Sequence, residues 1–322
     1  MINYPIKFEP ILKEKIWGGN KLKEVLCKNS TKNNIGESWE ISDVEDNISI
    51  VANGPAKGVS LTQLINYFES SLVGERNYKI FGNKFPLLIK FIDANQDLSI
   101  QVHPDDQIAY KRHNSFGKTE MWYVMQADQN ANLIVGFEDK ITKEEYLKSL
   151  NNNTLESILH YEQVKPGDSY FINAGKVHAI GAGVMLAEIQ QTSDITYRIY
   201  DWNRTDSAGN SRELHTQQAL EVIEFSNTKD YKKEYIKQNN TASNIVSCQY
   251  FTTNFIRVKN LYYKNYRSLD SFVIYMCTDG EADISVDGHK EYVKKGETIL
   301  IPAFAQNVSI KSKSCELLEV YI

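Results

Sequence analysis

The chain has 322 residues, 42% hydrophobic and 24% charged, with a formal net charge of -5. That length suits about two domains, each with its own core, and the composition is that of an ordinary soluble globular protein. No basic tract favours nucleic acid, and no apolar run approaches the ~20 residues of a membrane helix, so neither partner is expected. The start, Met1-Ile2-Asn3-Tyr4-Pro5-Ile6-Lys7, lacks the apolar core of a signal peptide. Cys27, Cys248, Cys277 and Cys315 are scattered, with no C-x-x-C pair. Free thiols in a reducing cytoplasm are the expectation.

Taken in order, residues 4–60 hold short strands and turns, with Trp17-Gly18-Gly19 and Gly36-Glu37-Ser38-Trp39-Glu40 standing out. Each Trp is either a packing anchor or the flat wall of a polar pocket. Residues 60–68 have helical apolar spacing at Leu61, Leu64, Ile65 and Phe68, with Ser60 as N-cap. Residues 85–92 read as a buried strand. From Leu98 the sequence alternates: Ser99, Gln101 and His103 share one face, while Leu98, Ile100 and Val102 share the other. That polar row is either a solvated face or a rigid wall carrying metal ligands. Met121 to Val124 is strand-like, and Glu120 opens it. Residues 142–161 read as helix with an Asn-rich break. Residues 184–191 and 195–202 read as strands, and residues 213–225 as a helix. The polar stretch 226–244 reads as a domain connection. Beyond it the pattern is all-β, with a strand at 272–276 and hairpin turns expected at Asp279-Gly280 and Asp287-Gly288.

Two segments match each other. Lys165-Pro166-Gly167, Asn173-Ala174-Gly175 and His178 align in spacing with Lys294-Lys295-Gly296, Pro302-Ala303-Phe304 and Asn307. This G-x5-P-x-G-x2-H spacing resembles a motif of the cupin family, in which a Gly turn enters a strand and a second turn aims the His inward. The resemblance implies a mainly β fold: two cupin-type jelly-roll barrels with a few accessory helices. The expected domains are 1–225, a catalytic barrel, and 226–322, a degenerate barrel with Asn307 in place of the His.

In the first barrel Gln101, His103, Glu120 and His178 bring two imidazoles, a carboxylate and an amide. Nitrogen and oxygen donors without thiolate suit zinc, with iron and manganese as rivals. Taken singly, His178 reads as a core histidine and Glu120 as a surface acid; it is the four in cupin order that point to a metal.

The stretches Ser99-Ile100-Gln101-Val102-His103-Pro104-Asp105 and Lys118-Thr119-Glu120-Met121, and His178 followed by Glu188 and Arg198, resemble the type I phosphomannose isomerases. So do Trp17-Gly18-Gly19, Gly36 to Glu40 and Arg212-Glu213-Leu214-His215. The resemblance covers nearly the whole chain and is similar to the shorter bacterial form. It implies a zinc-dependent isomerase of mannose 6-phosphate and fructose 6-phosphate, with one Zn2+ per chain on Gln101, His103, Glu120 and His178. It also implies Arg198 as the active-site arginine and Ser99, Lys118, Lys90 and Glu188 as pocket residues. The longer enzymes often carry His-Lys-Pro-Glu where this chain has Gly117-Lys118-Thr119-Glu120, so a catalytic role for that His has no counterpart here.

Aldose–ketose exchange through a cis-enediol needs a base for a weakly acidic C–H and fixed positive charge for the oxygen. Glu188 is the expected base, or else a structural partner of Arg198. Arg198 is a poor base and a good clamp. Lys118 and Ser99 are expected phosphate donors, and Lys118 is also expected among the catalytic residues with Arg198 and Glu188. Lys90 is either a substrate contact or a snorkelling surface lysine. The rivals are an iron dioxygenase of the same fold and a non-catalytic sugar-binding barrel. The expected partner is a phosphorylated hexose, and the expected assembly a monomer or homodimer.

Overall fold

The computed structural model describes residues 2–205, 209–226 and 231–322. The first half supplies β1 (Ile11–Gly19), β2 (Ile35–Ile41), a ribbon of β3 (Asp43–Val44) and β4 (Asn47–Ile48), β5 (Leu87–Asp93), β6 (Ile100–Val102) and β7 (Glu120–Ala127). It continues with β8 (Asn132–Phe137), β9 (Leu159–Gln163), β10 (Ser169–Ile172), β11 (His178–Ile180), β12 (Val184–Gln191) and β13 (Tyr197–Tyr200). They form two antiparallel sheets, in the orders β1-β2-β5-β12-β7-β10 and β13-β6-β11-β8-β9. Every residue of β2, β5 and β12 is buried. These are inner strands covered on both faces, which is why residues 85–92 read as a continuous apolar run.

The second half has β14 (Ala242–Ser247), β15 (Thr252–Asn265), β16 (Val273–Val286), β17 (His289–Lys294), β18 (Thr298–Ile301) and β19 (Asn307–Tyr321). Their order is β14-β15-β19-β16-β17, with β18 on β16. Register shifts at Val258/Asn260, Cys277/Asp279 and Gly280/Asp283 bend the long strands, and one apolar cluster takes buried residues from β15 to β19, with Ala242 of the edge strand β14 packed against it. The fold is mainly β and cupin-like, as expected. The sheets keep open edges and do not close into barrels.

The halves share a core. Phe85, Leu87, Ile89 and Phe91 pack in one cluster with Phe255, Phe272, Leu318 and Val320, and the Phe85 and Phe272 ring centroids are 4.6 Å apart. Ile6 pairs with Leu300 across the halves.

Local expectations meet three corrections. Asp279-Gly280 is a bulge inside β16, not a hairpin turn: Gly280 has φ +73, and a Cβ there would lie 2.3 Å from Ser314 O. Asp287-Gly288 is the two-residue turn, with Val286 opposite His289 and both turn φ values positive. Residues 142–161 split into a helix Lys143–Asn151, capped by a Thr142–Glu145 box, a 3-10 turn Leu155–Ile158, and β9. The break comes because Leu159 pairs with Phe137, and the burial of β9 alternates as an edge strand should. The helix expected at 213–225 is only Thr216–Val222, because His215 N donates to Arg198 O and ties the preceding residues to β13. In the stretch 226–244, residues 227–230 lie outside the described residues. Tyr231 to Lys233 runs along β10: Phe171 N donates to Tyr231 O and Lys233 N to Ser169 O. The Ser60 cap stands, in a capping box with Gln63.

Candidate metal centre

The two sheets of the first half face each other, and the polar residues singled out above line the space between them. On the second sheet, Gln101 of β6 pairs with His178 of β11 on one side and with Arg198 of β13 on the other. Directly opposed residues share a face, so this register puts Arg198 beside the ligand row. His103 follows β6 by one residue, and Gly175 N donates to its carbonyl. On the first sheet Glu120 opens β7, and Glu188 of β12 lies between Trp122 and Lys90.

His103 Nε2 and His178 Nε2 are 3.1 Å apart, and each lies 3.5 Å from an oxygen of Glu120. All three residues are fully buried or nearly so. The other ring nitrogens, both Nδ1, face carbonyls: His103 that of Ile195 at 3.0 Å, His178 that of Lys176 at 2.7 Å. A carbonyl only accepts, so both Nδ1 carry the hydrogen and both Nε2 present lone pairs. Two lone pairs at 3.1 Å repel unless a cation lies between them. Neither oxygen of Glu120 has a hydrogen bond, although the Lys118 ammonium is 3.2 Å from Oε2. Gln101 Nε2 lies 3.3 Å from His178 Nε2, and an amide flip would turn its oxygen to the centre. The donor set fits a divalent cation: two neutral imidazoles, a carboxylate and an amide oxygen.

Protonation follows burial. Burial brings His178 down to about 4, and burial, then Lys118, takes His103 well below the usual imidazole value. Both rings are therefore neutral at pH 7, as ligands must be. Burial, then Glu188, pushes the Glu120 carboxyl up to about 7 against Lys118 and Lys90; a cation would pull it down. For Glu188 burial raises and Lys90, then Lys118, lowers, and the balance holds it down at about 2.

A cavity of about 420 Å³ opens over this centre, within the range of small-molecule sites. Ser99, Gln101, Lys118, Lys90, Glu188 and Arg198 line it, together with Trp17 and Trp39. The two Trp residues are thus both packing anchors, at 4% and 5% exposure, and pocket walls. Lys90 does not snorkel. It is 5% exposed, with its ammonium 2.9 Å from Glu188 Oε1 and 2.7 Å from Gln190 Oε1. Nor does Glu188 pair with Arg198: its other oxygen accepts from Trp122 Nε1 at 2.9 Å, while Arg198 Nη1 donates to Glu213 O at 2.8 Å. Arg198 Nε is buried without a partner.

Sequence reasoning missed Lys13, Lys15, Asp194 and Thr196 as lining, and did not place Glu37 or Arg212 in the pocket. Glu37 is held as Glu188 is, by an indole and an ammonium: Trp39 Nε1 donates to it at 2.7 Å, and Lys15 is 3.3 Å away. Arg212 is fixed by Asp201, with Nε donating to Oδ2 at 2.7 Å. The alternation of β2, with Glu37 and Trp39 on one face, was a legible signal for Glu37. Arg212 stood in a stretch that resembles the isomerase family, but nothing there gave it a pocket role; for Asp194, on a loop, there was no signal.

Comparison with known proteins follows the same lines. The family profile "Phosphomannose isomerase type I, catalytic domain" matches residues 6–132, and "Mannose-6-phosphate isomerase, cupin domain" matches residues 241–322. The mannose-6-phosphate isomerase ManA of Bacillus subtilis is 34% identical, over 94% of this chain and 94% of its own. The mannose-6-phosphate isomerase of Streptococcus mutans is 33% identical over 92% of each. The crystal structure of mannose 6-phosphate isomerase from Bacillus subtilis superposes with a TM-score of 0.90 at 32% identity, covering 99% of this chain and 100% of that one. A putative mannosephosphate isomerase from Archaeoglobus fulgidus, at 21% identity and TM-score 0.80, shares the fold.

Proposed function

The chain belongs to the type I phosphomannose isomerases, and from that premise we propose that it interconverts mannose 6-phosphate and fructose 6-phosphate with one zinc ion per chain. The observation that carries the reading is the pair of facing Nε2 lone pairs beside a buried carboxylate without hydrogen bonds, under a cavity walled by lysines and arginines. Gln101, His103, Glu120 and His178 would hold the metal. Bound there, zinc would supply a Lewis acid for a substrate oxygen.

The residues of the chain then divide the remaining work. A proton leaves C2 of the aldose for the base, the proton of the C2 hydroxyl passes to the C1 oxygen by way of the cis-enediol, and the base returns its proton to C1. Arg198 stays charged and faces the oxygen on which negative charge grows. Lys118 lies 3.2 Å from Glu120 and is 5% exposed, so of its two expected roles we give it the catalytic one, at the reacting end of the sugar, and not that of phosphate donor. Ser99 lines the same wall. Lys15 and Arg212 are more exposed, with side chains at 34% and 31%, and suit a phosphate at the mouth. Glu188, the expected base, has both oxygens engaged and is held at about 2, which makes it a weak base and a holder of Lys90. Asp194 lines the pocket and has no hydrogen bond or ion pair among the described residues; it directly precedes Ile195, whose carbonyl fixes His103. We assign it the base role.

An assay with mannose 6-phosphate, before and after chelation and again with zinc restored, tests the activity; turnover that survives complete metal removal overturns it. For the base, Asp194→Asn should lower kcat by about 10²–10⁴-fold with metal content unchanged. A larger loss in Glu188→Gln than in Asp194→Asn would return that role to Glu188. No described helix is long and apolar enough to cross a membrane, and the four cysteines are free, which supports a cytoplasmic enzyme.

A further inference from the structure

The second half of the chain contributes none of the four metal-binding residues, yet it touches the strand that presents one. Tyr250 sits in the turn between β14 and β15, closed by Cys248 N donating to Phe251 O at 3.0 Å. Its ring packs on the core shared by the two halves. Its hydroxyl donates to Asp106 Oδ2 at 2.7 Å. Asp106 Oδ1 accepts from Gly117 N and from Gln191 Nε2, each at 2.9 Å. Gln191 Oε1 accepts from Thr119 N at 2.9 Å, and Gln191 N donates to Thr119 O at 3.2 Å. Thr119 separates Lys118 from Glu120. Gln191 and Thr119 are each 5% exposed.

We infer that Tyr250 is a positioning residue for the metal centre, acting through Asp106 and Gln191 on the backbone that carries Lys118 and Glu120. The inference rests on the metal-binding reading above. Its physical basis is the geometry of the acid. An ionised carboxylate gathers three donors here, from Tyr250, Gly117 and Gln191, and bonds to a charged acceptor are the stronger kind. The Tyr250 hydroxyl holds one oxygen, so the other stays aimed at Gly117 and Gln191. Without that hydroxyl the carboxylate is free to turn, and Gln191 loses the group that fixes its amide. Thr119 then has a looser partner, one residue from a ligand whose own oxygens have no hydrogen bond to steady them. A hydroxyl serving only to join the two halves could end on any surface acid. This one ends on the acid that also holds the segment leading into β7.

The test uses the full-length, zinc-loaded protein. Tyr250→Phe keeps the ring and removes the hydroxyl alone. Zinc release to a chelating dye should accelerate about 3- to 10-fold, and in Gln191→Leu about 10- to 100-fold, the range found when groups supporting a ligand are lost. The visible absorption of the cobalt-substituted protein should shift in the same order, and kcat should fall while KM for mannose 6-phosphate moves less than about twofold. Asp106→Asn repeats the test from the other partner and decides it should Tyr250→Phe not fold; combined, the two should release zinc no faster than Asp106→Asn alone. Release rates and cobalt spectra within about twofold of the parent in either foldable single variant overturn the inference, as does an additive double variant. Both readouts need no sugar, so a failure of the isomerase assignment would leave them intact and stay distinguishable.

Discussion

Replacing Lys90 with methionine should destabilise the protein, and less so as the pH falls. The Lys90 ammonium is buried between Glu188 and Gln190, and its charge also reaches Glu37. Methionine fills similar space but strands Glu188, and removing one partner of a buried pair costs about 3–5 kcal/mol. A second route gives a similar figure. Bringing the Glu188 carboxyl from 4.5 to about 2 stabilises the fold by about 3 kcal/mol at neutral pH, at ~1.36 kcal/mol per tenfold change in proton affinity. The sign then follows. In the parent the folded value is depressed, so this stability is full above 4.5 and is lost as pH falls towards 2. In Lys90→Met burial dominates and the folded value rises, so stability from this group grows as pH falls to 4.5. The gap between the two proteins should be about 3–5 kcal/mol at pH 7.5 and shrink steadily towards pH 5. Urea unfolding of both proteins in excess chelator measures it, since no bound metal then adds to either stability. Glu188→Gln leaves Lys90 with Gln190 and Glu37, and its gap at pH 7.5 should be smaller. A gap for Lys90→Met below about 1 kcal/mol, or one that does not change with pH, would refute the reasoning.

Elemental analysis should find one metal per chain, and His178→Asn should lose most of it, because a complete zinc site contributes ~10 kcal/mol or more; two metals, or full occupancy in the variant, would count against the site. Asn307 is exposed and, among the described residues, its side chain has one hydrogen bond, accepted from Asn265 Nδ2 at 2.8 Å, so Asn307→Ala should change stability by no more than about 0.5 kcal/mol and leave kcat untouched. Arg198→Ala should lower kcat and kcat/KM together by about 10²–10³-fold, with only partial rescue in Arg198→Lys; a near-normal kcat would remove Arg198 from the chemistry. Arg212→Ala should raise KM for mannose 6-phosphate more than it lowers kcat, and the opposite split would place the phosphate elsewhere.

What the sequence made legible was whatever followed a fixed period or a fixed spacing. The alternation Ser99, Gln101, His103 is a period of two, and the pairing of Gln101 with both His178 and Arg198 converts it into one wall. The glycine turns at Gly167 and Gly296 announced the strands β10 and β18, and both have positive φ, +88 and +85. Parity could not connect Glu188 with Arg198 through the turn at 192–194, and the structure shows why it would have misled: they lie on different sheets. The ionic partners inside the pocket were equally hidden. Lys90 and Glu188 are 98 residues apart in sequence, and only the pairing of β5 with β12 sets them opposite each other. Asp279-Gly280 reads as a turn in any local window; only the long-range pairing of β16 with β19 makes it a bulge.

The same registers explain why one half is fitted for a metal and the other is not. With Gly167 aligned on Gly296, Ile172 aligns on Ile301. Ile172 pairs with Glu120 and Ile301 with Val273, so a valine stands where the carboxylate ligand would be. Two residues on, Trp122 corresponds to Tyr275. Across the next strand Glu188 pairs with Trp122 and Glu319 with Tyr275, so Glu319 is the counterpart of Glu188. It too is buried, at 0% exposure, accepting from Asn254 Nδ2 at 2.7 Å, with Lys264 at 3.0 Å and the Tyr266 hydroxyl beside it. The paired carboxylate is thus present in both halves, while the ligand positions hold Val273 and Asn307 in the second. The two layers differ in how they tolerate loss. A carboxylate with its cation and donors is complete within the protein, and deleting it would strand Lys264. A ligand set is complete only with its ion; once one donor is gone, the others are buried polar atoms facing each other without partners, at about 1–3 kcal/mol each. Replacement by an apolar side chain such as Val273, and exposure of the remaining polar one at Asn307, relieves that cost. The layer that needs an ion is therefore the one that diverges, and the ionic layer beneath it stays.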